Sequence, residues 1–329
     1  MTRYSTILPA VLILGSLLPL RASEAAEAAV PSQVTMINEM IEQGWRDFEI
    51  RPAAEADDST WCRRVFLDVI GRVPDRAELS EFLASKGKDK RAALVDTLLH
   101  DDKYTEEYAS HWSTVWTNIL IGQSGGNGRD SMISRGGMQK YLRDSFARNK
   151  PYDRIVFDLV TATGSTKPGT DNFNGAVNFL IDKVNEEKGV LATSSTSRIF
   201  LGQQVQCTQC HNHPFNQWKQ QMFWEFNSFF RQTRSLRRFV DGTRDIDHAE
   251  LIDEDFAGEA NDPEDALVFY ELRNGLTRVA YPVFTDGTPI GVSGFVSDVK
   301  RRGELGRMML ASENMDKMGV NRMWSLFLG

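Results

Sequence analysis

Residues 57–74 read Asp57-Asp58-Ser59-Thr60-Trp61-Cys62-Arg63-Arg64-Val65-Phe66-Leu67-Asp68-Val69-Ile70-Gly71-Arg72-Val73-Pro74. Trp61, Cys62, Val65, Phe66, Val69 and Ile70 recur at the spacing that lines one face of an α-helix. Asp57, Asp58 and Ser59 supply N-cap candidates with acidic charge in the first turn, and Gly71 with Pro74 stops the helix. Asp75 can cap a second helix, whose Leu79, Phe82 and Leu83 face inward. The pattern continues outward over 32–157. A helix over 88–100 carries Leu94, Val95, Leu98 and Leu99, and a longer aromatic one carries Tyr104, Tyr108, Trp112, Val115, Trp116 and Ile119. Residues 138–146 and 152–160 resume the helical period around Pro151.

Residues 122–137 form a glycine-rich loop. Its Gly125-Gly126-Asn127-Gly128 lacks the following Lys-Ser/Thr and the preceding strand of a phosphate cradle. A polar connection over 161–170 is followed by a helix over 193–206, and another helix spans 218–230. Residues 241–265 are strongly acidic and read as an excursion or a domain boundary. The β signal is confined to 267–270 and 277–284, with Asn274-Gly275 as the turn between them. Helices over 301–310 and 314–327 close the chain. The fold expected is mainly α, a helical N-terminal domain with a small mixed α/β region towards the C-terminus.

Composition narrows the function classes. The 329 residues are 41% apolar, 25% charged and 10% aromatic, which excludes wholesale disorder, a collagen-like repeat and a small disulfide scaffold. The 38 basic against 45 acidic residues leave a charge of −7, so the chain lacks the basic footprint of a nucleic-acid binder. At the N-terminus Arg3 precedes an apolar stretch over 7–20, followed by the small residues Ala22, Ser23, Ala25, Ala26 and Ala28. That order reads as a cleaved signal peptide over 1–28. Its apolar core, interrupted by Pro9 and Pro19, is shorter than the ~20 residues a spanning helix needs. The mature protein is expected to be secreted or periplasmic, with no integral membrane span.

Residues 207–211 read Cys207-Thr208-Gln209-Cys210-His211, the C-x-x-C-H pattern of covalent c-type haem attachment. Two thiols at this spacing can reach the two vinyl groups on one porphyrin edge, and the adjacent imidazole can reach the iron from the same turn. Cys207, Cys210 and His211 are therefore the candidate haem ligands, with a helix leading in and Phe200 upstream. Met222, Met308, Met309, Met315 and Met318 are available as a sixth ligand, or the distal position is open. Two alternatives stand beside haem. Cys207 and Cys210 with His211 and His213 could hold zinc, His248 replacing one of them, or the cysteines could form a disulfide. Haem implies electron transfer or oxidoreduction with a redox partner protein. Zinc or a disulfide implies a non-enzymatic binding or scaffold protein, and no Ser-His-Asp or paired-carboxylate arrangement is readable.

Other residues carry plainer expectations. Cys62 reads as a buried, inert thiol, and His100 and His111 as capping or exposed groups. Arg63-Arg64 with Asp68 offers an ion pair along the helix. The run Asp245, Asp247, Glu250, Asp253, Glu254 and Asp255 lacks calcium-loop spacing and reads as a solvated acidic loop.

Several motifs, in order, resemble one family. Arg63 to Pro74, then Lys90-Arg91-Ala92-Ala93-Leu94-Val95-Asp96, is similar to the N-terminal signature of the DUF1549 family (PSCyt2), exported planctomycete cytochrome c-like proteins. Cys207 to Phe215, with Trp218 and Phe229-Phe230, resembles its second signature. Arg301-Arg302-Gly303-Glu304-Leu305 through Asn321-Arg322-Met323-Trp324 is similar to the opening of the DUF1553 domain that usually follows. The resemblance covers roughly 37–329 and implies an exported cytochrome-like protein. The domains expected are a DUF1549-like domain over 32–235, an acidic loop and β region over 236–298, and a short or truncated DUF1553-like start over 299–329.

Overall fold

The computed structural model describes residues 32–329 apart from Arg129. The leader expected over 1–28 lies outside the described residues. The chain separates into one unit ending at Ala56 and a second over Asp57–Gly329. The first carries helix α1 (Ser32–Asp47). The second carries ten helices: α2 (Asp58–Ile70), α3 (Arg76–Ala84), α4 (Lys90–His100), α5 (Thr105–Ile121), α6 (Arg135–Ala147), α7 (Tyr152–Thr161), α8 (Val190–Leu201), α9 (Gln220–Asn227), α10 (Arg301–Leu310) and α11 (Glu313–Leu328). The strands are β1 (Gly164–Ser165), β2 (Thr233–Phe239), β3 (Ile246–Asp253), β4 (Val268–Glu271) and β5 (Thr277–Ala280). About 51% of the chain is helical, so the fold is mainly α with a small mixed region. Among the described residues no helix is long and apolar enough to cross a membrane.

The caps expected from the sequence form. Asp57 accepts from the Thr60 N–H at 2.9 Å and so satisfies a free donor of the first turn of α2. Gly71 ends that helix with φ 77°, a left-handed conformation that favours glycine. Asp75 and Glu78 make a reciprocal capping box on α3. Cys62, Phe66, Ile70, Phe82, Leu98 and Tyr104 form the small core of this helical subdomain, so Cys62 is buried as expected. Burial pushes the Cys62 thiol up. The expected pairing of Arg63-Arg64 with Asp68 does not form. Exposed long side chains gain little from such a pair, and the carboxylate in use is that of Asp58, which meets Lys90 at 2.5 Å and Arg91 at 3.0 Å.

A larger core joins α5, α6, α7, α8, α10 and α11, with Phe179, Phe200, Phe229 and Leu305 fully buried in it. A second core, built on Phe223, Trp224, Val268 and Tyr270, lies under α9 and the β4–β5 hairpin. The hairpin turns at Gly275, φ 80°, as the Asn-Gly pair indicated.

The acidic stretch departs from expectation. Residues 246–253 are strand β3, the centre of an antiparallel sheet ordered β1-β3-β2. Ala249 and Leu251 point into the large core at the period of a strand. Asp245 and Asp255 stay exposed, as expected of a solvated stretch, but the others are paired: Glu250 meets Arg238 at 2.5 Å, Glu254 meets Arg234 at 2.8 Å, and Asp253 meets Arg302 at 2.7 Å. Asp247 pairs with Lys167 and accepts from the His248 ring at 2.8 Å. The sequence also placed the end of α8 too late, because Gly202, at φ 67°, stops it after Leu201.

Candidate functional site

The C-x-x-C-H segment follows from that early stop. Gly202 and Gln203 both donate to the Ser197 carbonyl, and the chain turns off the helix axis. A short 3₁₀ turn, Gln206–Gln209, then carries Cys207. Val205 is buried in the second core, and the buried Thr208 hydroxyl donates to its carbonyl at 2.6 Å. With Val205 and Thr208 turned inward, Cys207 and Cys210 face solvent as free thiols. The turn is also tied to α9. The Gln209 carbonyl accepts from Gln220 Nε2 and Trp224 Nε1, both at 3.1 Å, and Gln220 Nε2 also donates to Glu271 in β4 at 2.8 Å.

The two histidines play opposite hydrogen-bonding parts. His211 Nδ1 lies 2.7 Å from the Asn212 carbonyl oxygen. A carbonyl can only accept, so Nδ1 carries a proton, and in the neutral ring Nε2 keeps its lone pair. His213 Nδ1 instead accepts from the N–H groups of Phe215 and Asn216, both at 3.2 Å. Its neutral ring therefore carries the proton on Nε2, and neither nitrogen offers a free lone pair. The loop beyond closes through His213 N–H to the Trp218 carbonyl at 2.8 Å and leaves Phe215 93% exposed.

Among the described residues, no three His, Cys, Asp or Glu side chains are grouped as a metal ion requires. The set expected for zinc, Cys207, Cys210, His211 and His213, is not gathered into one, and the two cysteines are not joined. His213 is taken up by its loop, and His248 by Asp247. Of the methionines considered for iron, Met309 and Met315 are buried in the large core.

One cleft reaches the motif, and a second shares two of its lining residues. The first, of about 440 Å³, is lined by Leu191, Ser194, Ser195 and Arg198, one face of α8, and reaches Cys207 and His213. The other, of about 460 Å³, lies between α8 and α11 and is lined by Gly202, Met318 and Arg322 among others. Arg198 and Gln204 line both. Sequence reading missed this neighbourhood, although the 191, 194, 195, 198 spacing marks a single helix face.

Residues 36–235, which take in the motif and everything up to the start of β2, match the family model of PSCyt2, described as a protein of unknown function (DUF1549). The chain belongs to that family. No curated protein and no solved structure matches it. The matched PSCyt2 region thus contains α8, the 3₁₀ turn and α9, the three elements that hold Cys207, Cys210 and His211 in place.

Proposed function

We propose that this PSCyt2 protein is an exported cytochrome-like protein that carries a haem covalently on Cys207 and Cys210, with His211 as the iron ligand, and that it transfers electrons outside the cytoplasm. One observation carries the reading: the Asn212 carbonyl fixes His211 in the tautomer whose Nε2 is free to ligate, beside two solvent-facing thiols at attachment spacing. The residues fit the group. Attachment adds each S–H across a vinyl double bond, so it needs accessible thiols and no oxidant, and the cleft at Cys207 is of ligand size. When bound, the haem would supply a one-electron couple whose potential is set by its axial ligands and their hydrogen bonds. The chain's own residues orient the imidazole, hold the turn against α9 and keep the thiols outward. The tail from Arg301 is read with this as the opening of a DUF1553-like segment.

The test is a pyridine haemochrome spectrum with intact mass, after export in a host competent for c-type haem maturation. The expected result is one covalent haem, absent from the Cys207→Ser/Cys210→Ser variant. Colourless protein of unmodified mass would overturn the proposal and direct attention to zinc content and thiol state.

A further inference from the structure

Most arginines in the second unit whose side chains approach another group meet a carboxylate, as Arg72, Arg234, Arg238 and Arg302 do. Arg198 and Arg322 do not. Arg198 is exposed at the last turn of α8 and forms no ion pair among the described residues. Arg322, on α11, gives one N–H to the Ile199 carbonyl at 2.8 Å and lies over the Trp116 ring, while its buried Nε has no hydrogen-bond partner. Both line the cleft between α8 and α11. Burial, above all, disfavours the charged form of Arg322; Tyr152 opposes this, and the charge of Arg198 adds to it.

No carboxylate of the walls offsets this. Neither cleft is lined by an Asp or a Glu, in a chain with 45 of them against 38 cations. What the walls add is neutral hydrogen-bonding capacity from Ser194, Gln204 and Asn321. Two guanidinium groups without carboxylates, beside a partnerless buried N–H, are the complement of an anion with planar oxygens.

We propose that Arg198 and Arg322 form a carboxylate-binding clamp whose cleft runs on, through Arg198 and Gln204, to Cys207. This deepens the haem reading and rests on it for one of two sources of the carboxylate: the propionates of a haem held at Cys207 and Cys210. The other source is a free small dicarboxylate.

The test uses the full mature chain with Cys207→Ser/Cys210→Ser, so that binding is read without attachment. Protoporphyrin IX is compared with its dimethyl ester by tryptophan fluorescence quenching, and succinate with succinamide by calorimetry. Each comparison is repeated with Arg198→Gln and with Arg322→Gln. A charge-assisted clamp should favour the free acid over the ester by roughly tenfold, and Arg198→Gln should erase that preference. Arg198 is exposed, so its substitution leaves the packing intact; Arg322→Gln is read only where the melting curve matches the parent.

Succinate binding that needs Arg198, without discrimination against the ester, supports the clamp and assigns it to a free ligand. If neither acid outbinds its neutral partner, or the preference survives Arg198→Gln, the clamp is overturned. Because no arm requires attached haem, a colourless parent in the haemochrome test would leave this result standing by itself.

Discussion

Glu78→Gln removes one charge from the junction of α2, α3 and α5 while keeping its shape. The Glu78 side chain is only 7% exposed and accepts from Arg72 at 2.7 and 2.8 Å, from the Tyr104 hydroxyl at 3.0 Å and from the Asp75 N–H at 2.7 Å. Glutamine turned with its oxygen to the Asp75 N–H keeps the capping box, and its amide N–H can donate to the Tyr104 hydroxyl oxygen, so the substitution removes the ion pair together with one Arg72 hydrogen bond. The Arg72 guanidinium, above all, holds the carboxyl down to about 2 from an ordinary 4.5. A difference of that size corresponds to about 3 kcal/mol. Arg72 is a third exposed and retains Glu107 at 2.8 Å, so solvent screening brings the expected loss to about 2 kcal/mol at pH 7. The folded pKa lies below the unfolded one, so the contribution is whole above pH 4.5 and fades as pH falls towards 2. Urea unfolding followed by far-ultraviolet circular dichroism, with hydrogen exchange of α3, should show the gap between parent and variant shrink by more than half between pH 7 and pH 3. A gap below about 0.5 kcal/mol at pH 7, or one unchanged at pH 3, would refute the assignment of this stability to the Glu78 charge.

Gly137→Ala should be among the most damaging single-methyl changes. The added Cβ would stand 2.2 Å from the Thr166 carbonyl oxygen, a backbone atom that cannot rotate away, so a loss of roughly 2–4 kcal/mol and a lower melting temperature are expected. Thiol titration of folded protein made without haem maturation should find Cys207 and Cys210 reacting at once. Cys62 should react only after denaturant, and its fast modification in the native state would contradict its burial.

What the sequence reveals and what it hides follow one physical line. Helices α2 and α3 are legible because their caps, stops and apolar stripe agree. Strands β2 and β3 are not, because their inward residues at period two are the small or polar Thr233, Ser235 and Ala249 with Leu251 as the one large apolar side chain, all set among Arg and Asp/Glu. Those charges read as a solvated loop, yet across an antiparallel pair they are one another's partners. Arg301 misleads in the same way. An arginine is expected at the surface, but this one is fully buried, donating to the carbonyls of Ser228, Ala266, Val292 and Ser293. Those carbonyls come from the end of α9 and from the irregular segments around the hairpin, so no local pattern could announce the site that receives it.

The candidate site divides along the same line. Spacing alone singles out Cys207, Cys210 and His211 as candidates, since the attachment proposed for them would act within one turn of chain. Spacing cannot separate His211 from His213, because both are histidines within three residues of Cys210. The distinction lies in which backbone groups meet each ring: a carbonyl makes Nδ1 of His211 a donor, and two N–H groups make Nδ1 of His213 an acceptor. One ring is thereby left open at Nε2 and the other is committed to shaping the loop that ends in the exposed Phe215. The neighbouring cleft depends on longer-range placement still, since Arg198 and Arg322 line it together only because α11 packs on α8. A site whose reactive atoms are local but whose walls come from the last helix of the chain is one where sequence can name the chemistry, while only the packed structure can say what that chemistry would hold.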